Sequence, residues 1–247
     1  MRLKIGLNLT NYYSINFSLP KRDKRLIKFI IIHYTGMKKE SEAIKRLCNS
    51  KHKVSSHYFI KNNGEIINLV PDLYEAWHAG KSSWQKFKSL NQYSIGIEMN
   101  NPGHSNGYVS FFPKQIFSLT KLLNHLFKKY KIDKKNVLGH SDIAPYRKKD
   151  PGEKFPWKNL SKKRLCKWHN LNENKIKKFR KVKIPIKDEV IFLKNLHKTG
   201  YSKTRGFKVK NKVLLVKAFQ RRFRQNLING KIDKECFLIS KNILRYD

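Results

Sequence analysis

The sequence predicts an α/β domain followed by a separate bundle of three small helices. Residues 25 to 170 alternate segments of strand period with segments of helical period, the pattern of a domain built from sheet and helix layers. The last sixty residues show helical spacing only. A chain of 247 residues has room for one domain of about 150 residues and a smaller second one.

The elements follow in order. Residues 1 to 24 read as an N-terminal extension, whose start, Met1 to Leu9, is too broken by polar residues for the apolar region of a signal peptide. Residues 27 to 33 form a strand, because the apolar run Phe29-Ile30-Ile31-Ile32 ends at His33, just before the Tyr34-Thr35-Gly36 break. A helix spans 40 to 49. Residues 56 to 70 form a hairpin turning at Asn63-Gly64, a pair that readily adopts the positive φ of a tight turn. Residues 93 to 100 alternate with period two: Tyr93, Ile95, Ile97 and Met99 make an apolar face, and Ser94, Gly96, Glu98 and Asn100 make the other. Between 114 and 130, Ile116, Leu119, Leu122, Leu123, Leu126, Phe127 and Tyr130 recur at helical spacing. A short strand at 136 to 139 then delivers His140.

From about 158 to 187 a run of Lys and Arg faces only Glu173, which reads as a helix followed by a basic linker over 171 to 187, closed by Ile184-Pro185-Ile186. Residues 188 to 247 then form the helical module. Val190, Leu193 and Leu196 lie on a first helix capped by Gly200, and Val213 to Phe223 form a second. Asp233 is placed to cap a third before Phe237, Ile239, Ile243 and Leu244.

The chemistry concentrates in the loop from Gly139 to Gly152, which puts an imidazole, cations and a carboxylate in a segment too polar and turn-rich to be core. A hydrolytic zinc site keeps three protein ligands and leaves its fourth position to water. The loop offers His140 and Asp150, and His33 at the end of its strand is the best-placed third. Each has a plain structural alternative, since a lone His beside a strand is often a satisfied core residue and Asp before Pro-Gly is a turn former. The combination of His33, His140 and Asp150 with Lys148 and Glu98 argues for a site. On its strand face Glu98 sits among small side chains that leave room for a ligand.

These residues match a known family. Ile31-Ile32-His33-Tyr34-Thr35, Val54 to Ile60, Ala76-Trp77-His78-Ala79-Gly80, Ser94 to Glu98 and the Gly139 to Gly152 loop occur in the order and at the spacings of the zinc-dependent N-acetylmuramoyl-L-alanine amidases of the amidase-2 type, the AmpD/AmiD-like group. The chain resembles that family over roughly residues 25 to 160. The resemblance implies a central mixed β-sheet flanked by helices, as in the peptidoglycan recognition proteins. It implies one zinc ion on His33, His140 and Asp150, Glu98 as the general base toward water, Lys148 as the oxyanion partner, and His57, Trp77 and His78 along the substrate cleft. The C-terminal helices are similar to the peptidoglycan-binding modules of AmiD-like enzymes.

An amide is a poor electrophile with a poor leaving group, so its hydrolysis near neutral pH needs an activated water, a stabilised oxyanion and a proton for the amine. The residue set supplies all three. The favoured activity is hydrolysis of the amide between N-acetylmuramic acid and L-alanine in peptidoglycan or muropeptides, and the alternative is a non-catalytic peptidoglycan-binding protein. The helical module favours the bacterial envelope, the periplasm, and intact wall; the lack of an evident signal peptide favours the cytoplasm and soluble anhydro-muropeptides.

The formal charge is +38, from 55 Lys and Arg against 17 Asp and Glu. The cations are spread along the whole chain with no helix-turn-helix, RNP or zinc-finger spacing, which excludes a specific nucleic-acid partner. The Lys, Asn, Ile, Tyr and Phe excess is what an AT-rich genome produces, although a cationic surface is also drawn to anionic cell wall. No run approaches the ~20 apolar residues of a membrane span. Cys48, Cys166 and Cys236 are scattered and form no CxxC pair.

Overall fold

The computed structural model describes residues 9–203 and 209–245, so most of the Met1 to Leu9 segment lies outside the described residues. In chain order the N-terminal half holds β1 (Leu9–Asn11), β2 (Phe17–Ser18), β3 (Phe29–Tyr34), α1 (Glu40–Cys48), β4 (Tyr58–Ile60), β5 (Ile66–Asn68), β6 (Glu75–Ala76), β7 (Ser83–Trp84), β8 (Phe87–Lys88) and β9 (Ser94–Met99). Then come α2 (Pro113–Tyr130), β10 (Val137–Gly139), α3 (His140–Ile143), α4 (Trp157–Lys162), α5 (Glu173–Lys177), α6 (Ile186–Thr199), α7 (Val209–Phe223) and α8 (Lys234–Arg245). The strand, hairpin and helix positions expected from periodicity all appear.

Six strands form one mixed sheet in the order β1-β5-β4-β9-β3-β10. Its centre, β4-β9-β3-β10, is parallel, while β5 runs antiparallel to β4. Parallel strands are covered on both faces, which is why Phe29 to Ile32 is an unbroken apolar run instead of an alternating one. Ile30, Ile32, Ile95 and Ile97 pack under Leu119, Leu122, Leu123 and Leu126 of α2.

The opposite face is divided. Phe59, Ile67 and Leu69 pack under Ala43, Ile44 and Leu47 of α1. Phe29, Ile31, Leu138 and Ile143 share a second cluster with Phe192 and Leu196 of α6, Leu215 and Phe219 of α7, and Ile239 and Ile243 of α8. Between the two clusters runs a column of polar residues, His33, Ser94 and Glu98, that neither covers.

The expected C-terminal module is three helices, with Gly200 ending the first at φ 136° and Asp233 accepting from the Cys236 N–H at 2.9 Å to cap the third. It packs on the sheet, where a freestanding bundle was expected. The 171 to 187 segment, expected as a charged linker, is also packed. It contains α5, buries Ile176, and is tied to α8 and its cap by the Arg180–Glu235 ion pair at 2.7 Å and the Lys181 N–H to Asp233 at 3.1 Å. A dense run of charge marks a solvated face, and Ile176, with Leu171 and Ile184 packed on the same core, anchors it. Among the described residues the three cysteines are free thiols, and no helix is long and apolar enough to cross a membrane.

Because sheet and C-terminal helices share one core, urea unfolding followed by far-UV and near-UV signals is expected to show a single coincident transition. Leu196→Ala should lower its free energy by about 2–5 kcal/mol, the usual cost of a truncated core leucine. Two separate transitions would contradict a shared core.

Candidate metal centre

Three parallel strands end at the same edge of the sheet, the edge at which open α/β sheets bind ligands. His33 is the next-to-last residue of β3, Glu98 is that of β9 in direct register beside it, and β10 runs into α3, whose first residue is His140. The Ser141 N–H donates to the Asp150 carbonyl at 2.8 Å, folding the loop back so that Asp150 returns to His140.

His33 Nδ1, His140 Nδ1 and Asp150 Oδ2 converge, with separations of 2.9, 3.1 and 3.0 Å, and all three side chains are buried. The hydrogen bonds behind the rings decide which nitrogens carry protons. The Leu90 carbonyl can only accept, so the Ser94 hydroxyl donates to it at 2.5 Å and in turn accepts from His78 Nε2–H at 3.2 Å. His78 Nδ1 is therefore a lone pair, which accepts from His33 Nε2–H at 3.0 Å and leaves His33 Nδ1 unprotonated. His140 Nε2 lies closer to the Ala79 carbonyl, at 3.1 Å, than to the Arg147 guanidinium, at 3.3 Å; a proton given to that carbonyl leaves Nδ1 a lone pair too. Burial and the neighbouring His140 push the His33 pKa down to about 4, which keeps that ring neutral.

Two nitrogen lone pairs and a carboxylate oxygen thus face one another with no proton between them, an arrangement that repels itself unless a cation sits at its centre. Tetrahedral zinc with bonds of about 2.0–2.1 Å spaces its ligand atoms roughly 3.3 Å apart, close to the separations found. The donor set fits a zinc-type ion, and both histidines carry the outward hydrogen bonds that metal-ligating imidazoles require.

Glu98 lies beside this cluster. Burial and the nearby Asp150 charge push its pKa up to about 8, against the opposing pull of Lys148, and Oε2 has no hydrogen-bond partner among the described residues. The Lys148 side chain is half-buried and lines the same cleft of about 480 Å³, together with Tyr34, Arg46, His52, His104 and Arg147. The five residues expected to carry metal binding and catalysis are therefore brought together.

The three expected cleft residues are placed differently from one another. His57 is fully buried under the sheet edge, where its Nδ1 accepts from the Gly96 N–H at 2.9 Å and its Nε2–H reaches the Tyr74 carbonyl at 3.0 Å. Trp77 donates Nε1–H to Ser18 Oγ at 2.9 Å and is not among the residues lining the cleft. His78 stands behind His33, and a Cβ on Gly96 would fall 2.4 Å from its Cγ. The space that the small residues of β9 leave is filled by the His78 imidazole, which backs His33 and also lines the cleft, whereas His57 and Trp77 do not line it.

Sequence reasoning missed several contributors. Arg147, from the same loop, donates to the carbonyls of Ala79 and Lys81. The Arg22 guanidinium packs 3.0 Å from His57 Nε2 and donates to the Asp72 carbonyl at 2.8 Å. Nothing local marks Arg22, since its partners lie far along the chain.

Residues 22–153 match the family model Amidase_2, described as N-acetylmuramoyl-L-alanine amidase. The chain is 35% identical over 231 residues to N-acetylmuramoyl-L-alanine amidase AmiD of Escherichia coli (strain K12), covering 88% of this chain and 82% of that protein. It is 42% identical over 106 residues to 1,6-anhydro-N-acetylmuramyl-L-alanine amidase AmpD of Haemophilus influenzae, covering 42% of this chain and 55% of that one. Among solved structures, the complex of E. coli AmiD with the substrate anhydro-N-acetylmuramic acid-L-Ala-D-gamma-Glu-L-Lys is similar at a TM-score of 0.79 and 32% identity, covering 93% and 92% of the two chains. AmpDh3 from Pseudomonas aeruginosa is similar at a TM-score of 0.79 and 28% identity, covering 93% and 94%.

The buried histidines set a pH dependence. Burial lowers His33 to about 4 and His57 to about 3, and drives His78 well below the ordinary range. In the unfolded chain they titrate near 6.5, so below that pH the unfolded state binds more protons and native stability is lost. Chelator-treated protein is expected to be most stable near pH 6.5, because the raised Glu98 carboxyl costs stability as pH climbs toward 8, and to lose stability toward pH 4. Equal urea midpoints at pH 6.5 and pH 4 would contradict this.

Proposed function

The chain belongs to the Amidase_2 family of N-acetylmuramoyl-L-alanine amidases, and on that premise we propose that it is a zinc-dependent hydrolase of the amide between N-acetylmuramic acid and L-alanine. The observation that carries this reading is the convergence of His33 Nδ1, His140 Nδ1 and Asp150 Oδ2 beside the unpartnered Glu98 carboxyl. Support for an anhydro-muropeptide as substrate comes from the AmiD complex, which holds one and is similar along nearly the whole chain.

A zinc ion on the three ligands would supply a water acidified to a pKa of about 7 and polarise the scissile carbonyl. Glu98 takes the proton from the attacking water, whose oxygen bonds to the carbonyl carbon. A carboxyl raised toward 8 by burial is matched to taking that proton and releasing it again near neutral pH. As the C–N bond breaks, Glu98 delivers the proton to the L-alanine nitrogen. Lys148, which already bears on the Glu98 and His33 charges, directs its ammonium at the developing oxyanion.

We also propose that the +38 charge concentrates the enzyme on anionic wall at the bacterial envelope. Activity on isolated sacculi is then expected to fall as salt rises from about 0.05 to 0.5 M, because screening shortens the reach of the field. Activity independent of salt would remove this part of the proposal.

Purified protein incubated with muropeptides is expected to release free stem peptide, read by mass spectrometry, and to stop when chelator is added. Glu98→Gln should keep its metal and lose turnover by about 10²–10⁴-fold, and Lys148→Met by roughly 10²-fold. Release of stem peptide that chelator does not affect would exclude the metal mechanism; no release at all would leave a binding protein.

A further inference from the structure

The loop that carries His140 and Asp150 rests on a carboxylate with no part in the chemistry above. Asp142 is the third residue of α3, two beyond His140, and is 1% exposed. Its Oδ2 accepts from the Gly139 N–H at 2.7 Å, closing the start of α3. Its other partners come from far along the chain. The Tyr201 hydroxyl donates to Oδ1 at 2.8 Å, and the Arg222 guanidinium approaches Oδ2 at 3.4 Å.

Arg222 does more than balance the charge. Nη2 also donates to the carbonyls of Val137 at 3.1 Å and Lys167 at 3.3 Å, and the guanidinium lies 3.5 Å from the Trp157 ring centroid. Trp157 in turn abuts Gly139, where a Cβ would fall 3.3 Å from its ring and 2.7 Å from Cδ of Pro151, the residue after Asp150. One side chain from α7 thereby holds β10, the Asp142 carboxylate and the aromatic wall of the ligand loop. Tyr201 is fixed as tightly. It follows Gly200, whose carbonyl accepts from the Gln85 N–H at 2.7 Å, and its ring packs edge-on against Trp84 at 4.9 Å.

A buried carboxylate and guanidinium are costly to desolvate, and apolar residues could fill the same interface with equal or greater stability. This pair sits where it sets the backbone that aims a ligand. We propose that Tyr201 and Arg222, acting through Asp142, are positioning residues for His140, so that the C-terminal helices are a structural part of the metal centre. The proposal deepens the amidase reading and rests on it for the identity of the metal.

The test compares full-length Tyr201→Phe and Arg222→Gln with Phe192→Leu, which perturbs the same helix–sheet core without touching the network. Zinc affinity is measured by competition with a chromogenic chelator, and amide hydrogen exchange over residues 139–142 is measured in the metal-free protein. Tyr201→Phe and Arg222→Gln are expected to bind zinc about 10-fold more weakly, the scale of lost support around a ligand, and to exchange faster in that segment. Phe192→Leu should lower the unfolding midpoint while leaving both readouts near wild type. If all three variants match wild type in affinity and in local exchange, the network is packing only and the proposal is overturned. If the wild-type protein binds no zinc, the amidase reading fails, and the exchange comparison still decides whether Tyr201 and Arg222 hold the loop.

Discussion

The architecture turns on two hydrogen bonds that point away from the site. His33 gives its Nε2 proton to His78 and His140 gives its own toward Ala79, and this alone turns both Nδ1 lone pairs toward Asp150. Were either ring turned over, a proton would stand in the cluster and the self-repelling set of acceptors would become a satisfied hydrogen-bonded one. The His78–Ser94–Leu90 chain and the close fit of His78 on Gly96 exist to keep that orientation.

The fold gives this polar chain somewhere to live. One face of the sheet is closed by α2 together with the α4 segment, while the other is shared between α1 and the C-terminal helices, which leave a seam above β3 and β9. His33 and Glu98 occupy that seam at the ends of adjacent parallel strands, so their spacing is fixed by the hydrogen-bond ladder and not by loop conformation. Low dielectric in the seam raises Glu98 toward neutrality and keeps His33 unprotonated, and both effects come from the same burial. The Lys148 ammonium is kept at the rim, where its side chain remains half-exposed.

Much of this was legible in the chain. The strand ending at His33, the alternation that isolates Glu98, and the Gly139 to Gly152 loop are local patterns, and local patterns fix which residues stand at strand ends. Asp150 was legible because it shares a short loop with His140. His57 and Trp77 were expected along the cleft and do not line it, for the opposite reason. Their number along the chain says that they are near the site, but whether a ring faces substrate or props a ligand depends on partners such as Arg22, Ser18 and Gly96. The basic stretch from 171 to 187 was misread as a linker because its apolar residues, Ile176 among them, are scattered among lysines without a clear period.

By itself the sequence determined the element order, the family and which residues are candidates for the metal and the acid-base chemistry, since each is written in residue type and short-range spacing. Only the tertiary structure decided the protonation of each imidazole, the filling of the space beside Gly96, and the docking of the C-terminal helices onto the sheet. Those depend on contacts such as Arg222 to Asp142, eighty residues apart in the chain, and no short-range periodicity encodes a pair that folding alone brings together.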